Sequence, residues 1–144
     1  MVRSLMALMI SVLRLAVVLA CFLGATSVAA EGDGPAEVPR GLWQTEADRS
    51  GVIFHVRTRR CGRALCGRVE RAKNRQGYDT PSNAVGAKVL WEMRPQPDGS
   101  FFGEYRGPQA DRYLSSRVTT SGKELRLKAC NEEGCEARTW VLLR

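Results

Sequence analysis

The sequence predicts an all-β domain, an up-and-down meander of eight strands that closes into a barrel. Three observations lead to this expectation. Short segments of alternating apolar and polar residues recur after about residue 40, turn-forming residues separate them at close intervals, and no segment has helical periodicity. A meander of eight strands can pair its last strand with its first, so that no strand edge is left unpaired.

The first 30 residues have the pattern of a secretory signal peptide. Arg3 precedes an apolar stretch, and small residues follow up to Ala30, which places cleavage after Ala30. Arg14 divides the apolar stretch into pieces shorter than the roughly 20 residues of a membrane-spanning helix. We therefore expect an exported, periplasmic protein with no transmembrane segment in its mature chain; a lipid anchor at Cys21 is a minor alternative.

The chain that remains after cleavage has the length of one domain. Residues 31–39 are polar and contain Gly and Pro, which predicts a flexible leader. The barrel domain is expected to span residues 40–144.

The first three strands are predicted between residues 41 and 72. The first covers residues 41–45, with Trp43 facing inward, and a turn follows at 48–51. The second and third strands form a hairpin over residues 52–72, with its turn at 62–65. Apolar residues alternate on one face of this hairpin: Val52, Phe54, Val56, Leu65, Gly67 and Val69.

Residues 73–84 form the longest irregular segment of the barrel domain. They have no apolar periodicity and include Gly77 and Pro81. Such loops are uncommon in compact domains unless they have a function, so we expect residues 73–84 to form a lip over the barrel opening. The alternative is a crossover whose Asn and Asp side chains cap their own turns.

The last five strands follow from residue 87 onward. The fourth is expected to direct Val89, Trp91 and Met93 to one face, with Lys88, Leu90 and Glu92 on the other. The remaining strands are predicted at residues 101–106, 111–119, 125–129 and 137–143, the last with Trp140 inward. Turn signals separate them at residues 95–99, 107–110, 121–123 and 131–134.

Four cysteines follow the predicted cleavage site, in two units of the same spacing. An even number in a small exported domain predicts disulfides, and we favour the two local pairs, Cys61 with Cys66 and Cys130 with Cys135. A zinc site is the alternative, although structural zinc usually takes cysteines of shorter spacing.

The net charge of +7 and the pI near 9.6 describe a basic chain, but no uninterrupted run of five like charges occurs. This dispersion and the expected export argue against nucleic acid as a partner. The sequence does not identify a partner: it favours a solvated basic surface, compatible with anionic envelope polymers or lipid head groups, over a dedicated polyanion site.

Several short motifs together resemble the bacterial family called domain of unknown function 2147. The motifs, in order, are Gly41-Leu42-Trp43, Leu65-Cys66-Gly67-Arg68-Val69, Gly86, residues 103–108 followed by Tyr113, residues 125–130, and Thr139-Trp140. The resemblance covers residues 41–142 and implies a small exported protein with a lipocalin-like barrel, without an established activity.

The resemblance also implies a plug at one end of the barrel. In lipocalin-type barrels a tryptophan of the opening strand lies beneath a basic side chain from the last strand. Here Leu142 stands where the family usually has Arg, which leaves Arg138 or Arg144 as the substitute. Ala129 likewise stands where the family usually has Gly.

The sequence contains no recognisable catalytic constellation, so we expect no enzyme activity, no cofactor and no metal site. His55 is the one histidine, and Ser115 and Ser116 lack a nucleophile-elbow motif. Carboxylates near Tyr78 and Asp79, or at Glu132 and Glu133, are expected to be turn and surface residues. Hydrolase activity is the least favoured alternative.

The sequence therefore predicts a non-catalytic binding or interaction module. A carrier of a small apolar ligand is the alternative, in which Phe54, Trp91, Phe101 and Tyr105 form the wall of the site. Tyr78 and Asp79 of the expected lip complete the candidate binding residues. A barrel filled by its own side chains, with its surface contacting another envelope component, is the competing prediction.

Overall fold

The computed structural model describes residues 37–144, which form a closed antiparallel barrel of eight strands. The strands are β1 Gly41–Gln44, β2 Ile53–Cys61, β3 Ala64–Lys73, β4 Lys88–Pro95, β5 Phe101–Tyr105, β6 Leu114–Ser121, β7 Glu124–Asn131 and β8 Gly134–Leu142. Each strand pairs with the next, which confirms the predicted fold class. The predicted signal peptide, its cleavage site, Cys21 and leader residues 31–36 lie outside the described residues.

The barrel closes where β1 meets β8. Trp43 is paired with Leu142, and the backbone amide of Leu42 donates to the carbonyl of Arg144 over 2.7 Å. A Cβ atom on Gly41 would lie 2.5 Å from Cδ1 of Leu142 and 3.0 Å from that carbonyl. The C-terminal residues lie too close to position 41 to leave room for a side chain, which explains the glycine there.

Trp43 closes the end of the barrel next to this seam. Its indole Nε1 donates to Oγ1 of Thr58 over 2.8 Å, and that hydroxyl donates to the carbonyl of Pro39 over 2.7 Å. Val38 is only 7% exposed and belongs to the core, so the ordered domain includes the last residues of the predicted leader.

The predicted cationic plug over Trp43 is not seen. Among residues 37–144, the cations that lie over aromatic rings are Lys88, Arg106 and Arg117, and none of their rings is Trp43. Arg144 contributes its carbonyl instead of its guanidinium, and Arg138 lines the cavity described below.

Side chains fill the barrel beyond Trp43. The buried residues come from every strand and form one cluster; its larger members include Trp43, Val56, Leu65, Met93, Phe101, Val118, Leu125, Leu127 and Trp140. The inward alternation predicted for β2, β3 and β7 is present in the burial pattern of those strands.

The face assignment predicted for β4 is wrong in part. Val89, Leu90 and Met93 are the buried residues, whereas Trp91 is half-buried and Glu92 is exposed. The reason is that β4 has irregular register with both neighbours, and Glu92 adopts a φ of 43°. Each bulge shifts the alternation by one residue, which periodicity alone does not reveal.

Gly103 of β5 accommodates the irregular register between β4 and β5. A Cβ atom on Gly103 would lie 2.7 Å from the carbonyl oxygen of Glu92 and 2.8 Å from Cα of Met93. The backbone of β4 thus occupies the space where a side chain of β5 would otherwise lie.

The cysteines form the two local pairs that the sequence predicts, Cys61 with Cys66 and Cys130 with Cys135. Each pair joins the two strands of a tight hairpin, and Cys130 and Cys135 are direct cross-strand partners. Two disulfides in a small domain indicate an oxidising compartment.

The first prediction concerns Gly103. We expect Gly103→Ala to lower the free energy of unfolding by about 1 to 3 kcal/mol, because the added methyl group meets backbone atoms that cannot move away independently. Urea denaturation followed by circular dichroism measures this change. Glu104→Ala, at the exposed neighbouring position, is the control and should change stability by less than about 0.5 kcal/mol. Equal stability of the two variants would contradict the role of Gly103.

Candidate functional site

The candidate site is a cavity at the end of the barrel opposite Trp43. Because neighbouring strands are antiparallel, the connections β1–β2, β3–β4, β5–β6 and β7–β8 all lie at this end. The cavity, which we call the mouth cavity, has a volume of about 740 Å³ and opens to solvent. Residues 45–49 of the β1–β2 connection line it, as do residues 107–110 and Arg112 of the β5–β6 connection.

The floor of the mouth cavity is apolar. It is formed by Phe54, Tyr105, Leu114 and Trp140, which point inward from four different strands. Phe54 and Trp140 are 2% and 1% exposed, and the rings of Tyr105 and Trp140 pack at a tilt with centroids 6.2 Å apart. Tilted packing is a favourable arrangement for aromatic pairs, so this contact stabilises the floor of the cavity.

Charged side chains surround this floor on the β8 side. Glu136 and Arg138 share the inward face of β8 with Trp140, because residues two apart on a strand point the same way. The guanidinium of Arg138 lies 3.1 Å from a carboxylate oxygen of Glu136 and 3.9 Å from one of Glu46. Glu46 also accepts a hydrogen bond from the backbone amide of Thr139 over 3.0 Å. Arg138 is therefore held between two carboxylates.

Asp48 fixes the loop on the β1 side of the cavity. Its Oδ1 accepts hydrogen bonds from the amides of Ser50 and Val52, over 2.9 and 2.8 Å, and from the hydroxyl of Ser50. Burial opposes ionisation of Asp48, but these hydrogen bonds outweigh it and lower the pKa of the carboxyl. The carboxylate of Asp48 therefore stabilises the conformation of the β1–β2 connection.

Tyr105 is the deeply buried polar residue of the floor. It is only 4% exposed, and burial, with a contribution from the carboxylate of Glu136, raises the pKa of its hydroxyl to about 12. The hydroxyl is therefore a neutral hydrogen-bonding group at ordinary pH.

Two of the four predicted wall residues, Phe54 and Tyr105, line the mouth cavity. Phe101 is 1% exposed and packs in the filled part of the barrel instead. Trp91 is paired with the exposed Glu104, outside the cavity, and Lys88 Nζ lies 3.2 Å from its ring centroid. The bulge in β4 is what moves Trp91 away from the interior.

The segment predicted as a lip does not line the mouth cavity. Tyr78 is 71% exposed, and Asp79 pairs with Lys73 over 2.8 Å. Oδ1 of Asn74 accepts hydrogen bonds from the amides of Gln76 and Tyr78, each over 3.0 Å. The segment caps its own turns, as the alternative prediction for it proposed, and the β1–β2 and β5–β6 connections border the cavity.

Leu114, Glu136 and Arg138 line the mouth cavity but are not among the binding residues predicted from the sequence. For β8 the sequence contains enough information to place two of them. Side chains alternate along a strand, so Arg138 and Glu136 lie on the same face as the inward-facing Trp140. Charged residues at inward strand positions indicate a barrel end that is not filled by apolar packing.

Residues 37–144 contain no group of three or more His, Cys, Asp or Glu side chains arranged to hold a metal ion. Over the same residues, no helix is long and apolar enough to cross a membrane.

Comparison with known families identifies the chain. Residues 41–141 match the family model described as "Uncharacterized protein conserved in bacteria (DUF2147)", so the chain belongs to that family. This confirms the family suggested by the motifs. Comparison with curated proteins gives no match, and comparison with solved structures gives none either.

The second prediction concerns the ionisation of Tyr105. Below the ordinary pKa of 10.0, the hydroxyl is protonated in the folded and unfolded states alike, so it contributes no pH dependence. Between pH 10 and about 12 the unfolded state loses its proton first, so the free energy of unfolding falls as pH rises. The loss is on the order of 2 kcal/mol.

Chemical denaturation across that pH interval tests this prediction. Tyr105→Phe should flatten the fall in the free energy of unfolding, and Tyr78→Phe, at an exposed tyrosine, should retain the wild-type slope. A wild-type slope in Tyr105→Phe would show that the hydroxyl is not held in its neutral form.

Proposed function

We propose that the protein is a non-catalytic binding module that takes one small amphipathic molecule in its mouth cavity. The observation that carries this proposal is the apolar floor of Phe54, Tyr105, Leu114 and Trp140 beneath a charged rim, in a cavity of about 740 Å³. Small-molecule sites have this composition, mostly apolar with a few placed polar groups.

The composition of the rim favours a ligand with an apolar part and a polar, overall neutral or zwitterionic part. Three acidic and three basic side chains line the cavity: Glu46, Asp48, Glu136, Arg49, Arg112 and Arg138. Because the two signs balance, the cavity has no excess charge to attract a strongly charged ligand. The hydroxyl of Tyr105 and the guanidinium of Arg138 supply hydrogen-bond donors near the floor.

The absence of catalysis is part of the proposal. Glu46 and Glu136 are engaged by a hydrogen bond and by ion pairs with Arg138. Oδ1 of Asp48 accepts its hydrogen bonds within the β1–β2 connection, whereas Oδ2 of Asp48 is buried without a partner among the described residues. His55 belongs to β2 and is not among the residues that line the cavity. The described lining therefore lacks the nucleophile and base pair on which hydrolysis by acyl transfer depends.

We further propose that the protein works in the periplasm after cleavage behind Ala30. The N-terminal pattern of a charged residue, an apolar stretch and small residues supports export. The disulfides Cys61–Cys66 and Cys130–Cys135 support an oxidising destination.

The third prediction tests binding in the mouth cavity with N-phenyl-1-naphthylamine, an uncharged fluorescent probe that has an apolar body and an amine group. The wild-type protein should enhance its fluorescence in a saturable way. Leu114→Trp enlarges a floor residue into the cavity and should weaken binding by about tenfold or more, a change of about 1.4 kcal/mol. Arg138→Gln should also weaken binding, because it removes the guanidinium and leaves the carboxylates of Glu46 and Glu136 without their counter-charge.

Matched substitutions outside the cavity control for general effects. Phe102→Trp adds an indole to the exposed face of β5, and Arg126→Gln removes an arginine that pairs with Glu124 on the outside of β7. Both should bind the probe as the wild type does. Native mass spectrometry of unrefolded protein tests for a natural ligand. Probe binding that is indifferent to Leu114→Trp and Arg138→Gln, together with a ligand-free mass, would overturn the proposal.

A further inference from the structure

The positive charge of the described domain is concentrated in one hairpin. Residues 52–73, which include β2 and β3, contain seven Arg or Lys residues and a single acidic residue, a net charge of +6. The rest of residues 37–144 contains thirteen basic and twelve acidic residues, a net charge of +1. The basic composition of the chain is therefore a property of one wall of the barrel.

Five arginines of this hairpin form a continuous surface, which we call the basic wall. Arg57, Arg59, Arg68 and Arg71 lie on the outer face of the two strands, and Arg63 lies in the turn between them. Arg57 and Arg68 are cross-strand partners, and Arg59 and Arg71 flank them along their strands. Positions on neighbouring strands are about 5 Å apart, so the guanidinium groups form a dense array.

Few of these charges are neutralised within the domain. Arg57 pairs with Glu70 over 2.7 Å, and Arg68 donates to the carbonyl of Gly86 over 2.8 Å. Within residues 37–144, none of the ion pairs includes Arg59, Arg63 or Arg71. These three side chains are exposed, so their charges face solvent.

The positive charges of this region affect the imidazole of His55, which lies on β2 opposite Arg71. Partial burial lowers the pKa of the imidazole, and the positive charges of Lys73 and Arg71 lower it further against the weaker opposing effect of Asp79 and Glu70. The neighbouring acidic residues do not cancel the positive field of the wall.

Two exposed apolar side chains border the basic wall. Tyr78 is 71% exposed and follows β3 closely, since its carbonyl accepts from the amide of Asn74. Val85 is 48% exposed and lies beside β3, where the amide of Gly86 donates to the carbonyl of Val69 over 2.8 Å. An exposed tyrosine next to arginines is a combination found at membrane-water interfaces.

We propose that the basic wall docks the protein onto an anionic lipid surface. Arginine forks match the oxygens of lipid phosphates, and Tyr78 and Val85 provide apolar contact at the head-group boundary. The disulfide Cys61–Cys66 lies in the same hairpin and ties the end of β2 that carries Arg59 to β3. This disulfide places the wall in an oxidising compartment, which disfavours nucleic acid as the polyanion. This proposal is independent of the mouth cavity.

The test is co-sedimentation of the purified protein with vesicles of phosphatidylcholine, with and without phosphatidylglycerol. The protein should bind the mixed vesicles and not the neutral ones, and binding should weaken as salt is added. Each basic residue near such a surface contributes about fivefold in affinity. Arg59→Gln with Arg71→Gln should therefore reduce binding by about 25-fold.

The matched control is Arg126→Gln with Lys128→Gln, an equal charge change on exposed positions of β7, at the opposite side of the barrel. It should change binding by less than about twofold, because those charges lie more than a Debye length from the docked surface. Tyr78→Ser with Val85→Ser leaves the charge unchanged and should reduce vesicle binding by about threefold or more.

Three results would overturn the proposal. The first is equal loss in the two double charge variants, which would show that net charge alone acts. The second is binding to heparin, a soluble polyanion, without binding to anionic vesicles. The third is unchanged vesicle binding in Tyr78→Ser with Val85→Ser, which would leave the lipid surface without its apolar contact.

Discussion

The structure depends on how Trp43 closes one end of the barrel. Its indole donates to Thr58, whose hydroxyl donates to Pro39, so a buried polar chain joins β1, β2 and the segment before the barrel. The polar groups of Trp43 and Thr58 both have hydrogen-bond partners, so their burial costs little free energy. Side chains pack against Trp43 at this end of the barrel, and the mouth cavity lies at the opposite end.

Much of the fold could be predicted from residue patterns. The alternation in β2, β3 and β7, the turn signals between strands and the spacing of the cysteines led to eight strands and two local disulfides, and the structure has both. These features are local, because alternation and turn chemistry are set by residues close in sequence. Phe54 and Tyr105 of the site were predicted for the same reason.

The parts that could not be predicted depend on contacts between distant residues. Trp91 lies outside because β4 bulges against Gly103, and the periodicity of β4 alone does not reveal where such a bulge shifts the alternation by one residue. The border of the cavity belongs to the β1–β2 and β5–β6 connections, although residues 73–84 form the longer loop. Loop length did not reveal that Asn74 and Lys73 hold that segment against itself.

An amphipathic molecule that binds in the mouth cavity contacts the end of the barrel opposite Trp43. Backbone amide chemical shifts, recorded by nuclear magnetic resonance while the uncharged N-phenyl-1-naphthylamine is added, test this most directly. We expect the amide shifts of residues 45–49, 107–112 and 136–140 to change, and those around Trp43 and Thr58 to stay the same. Changes centred on the Trp43 end, or spread evenly over the outer surface, would contradict this expectation.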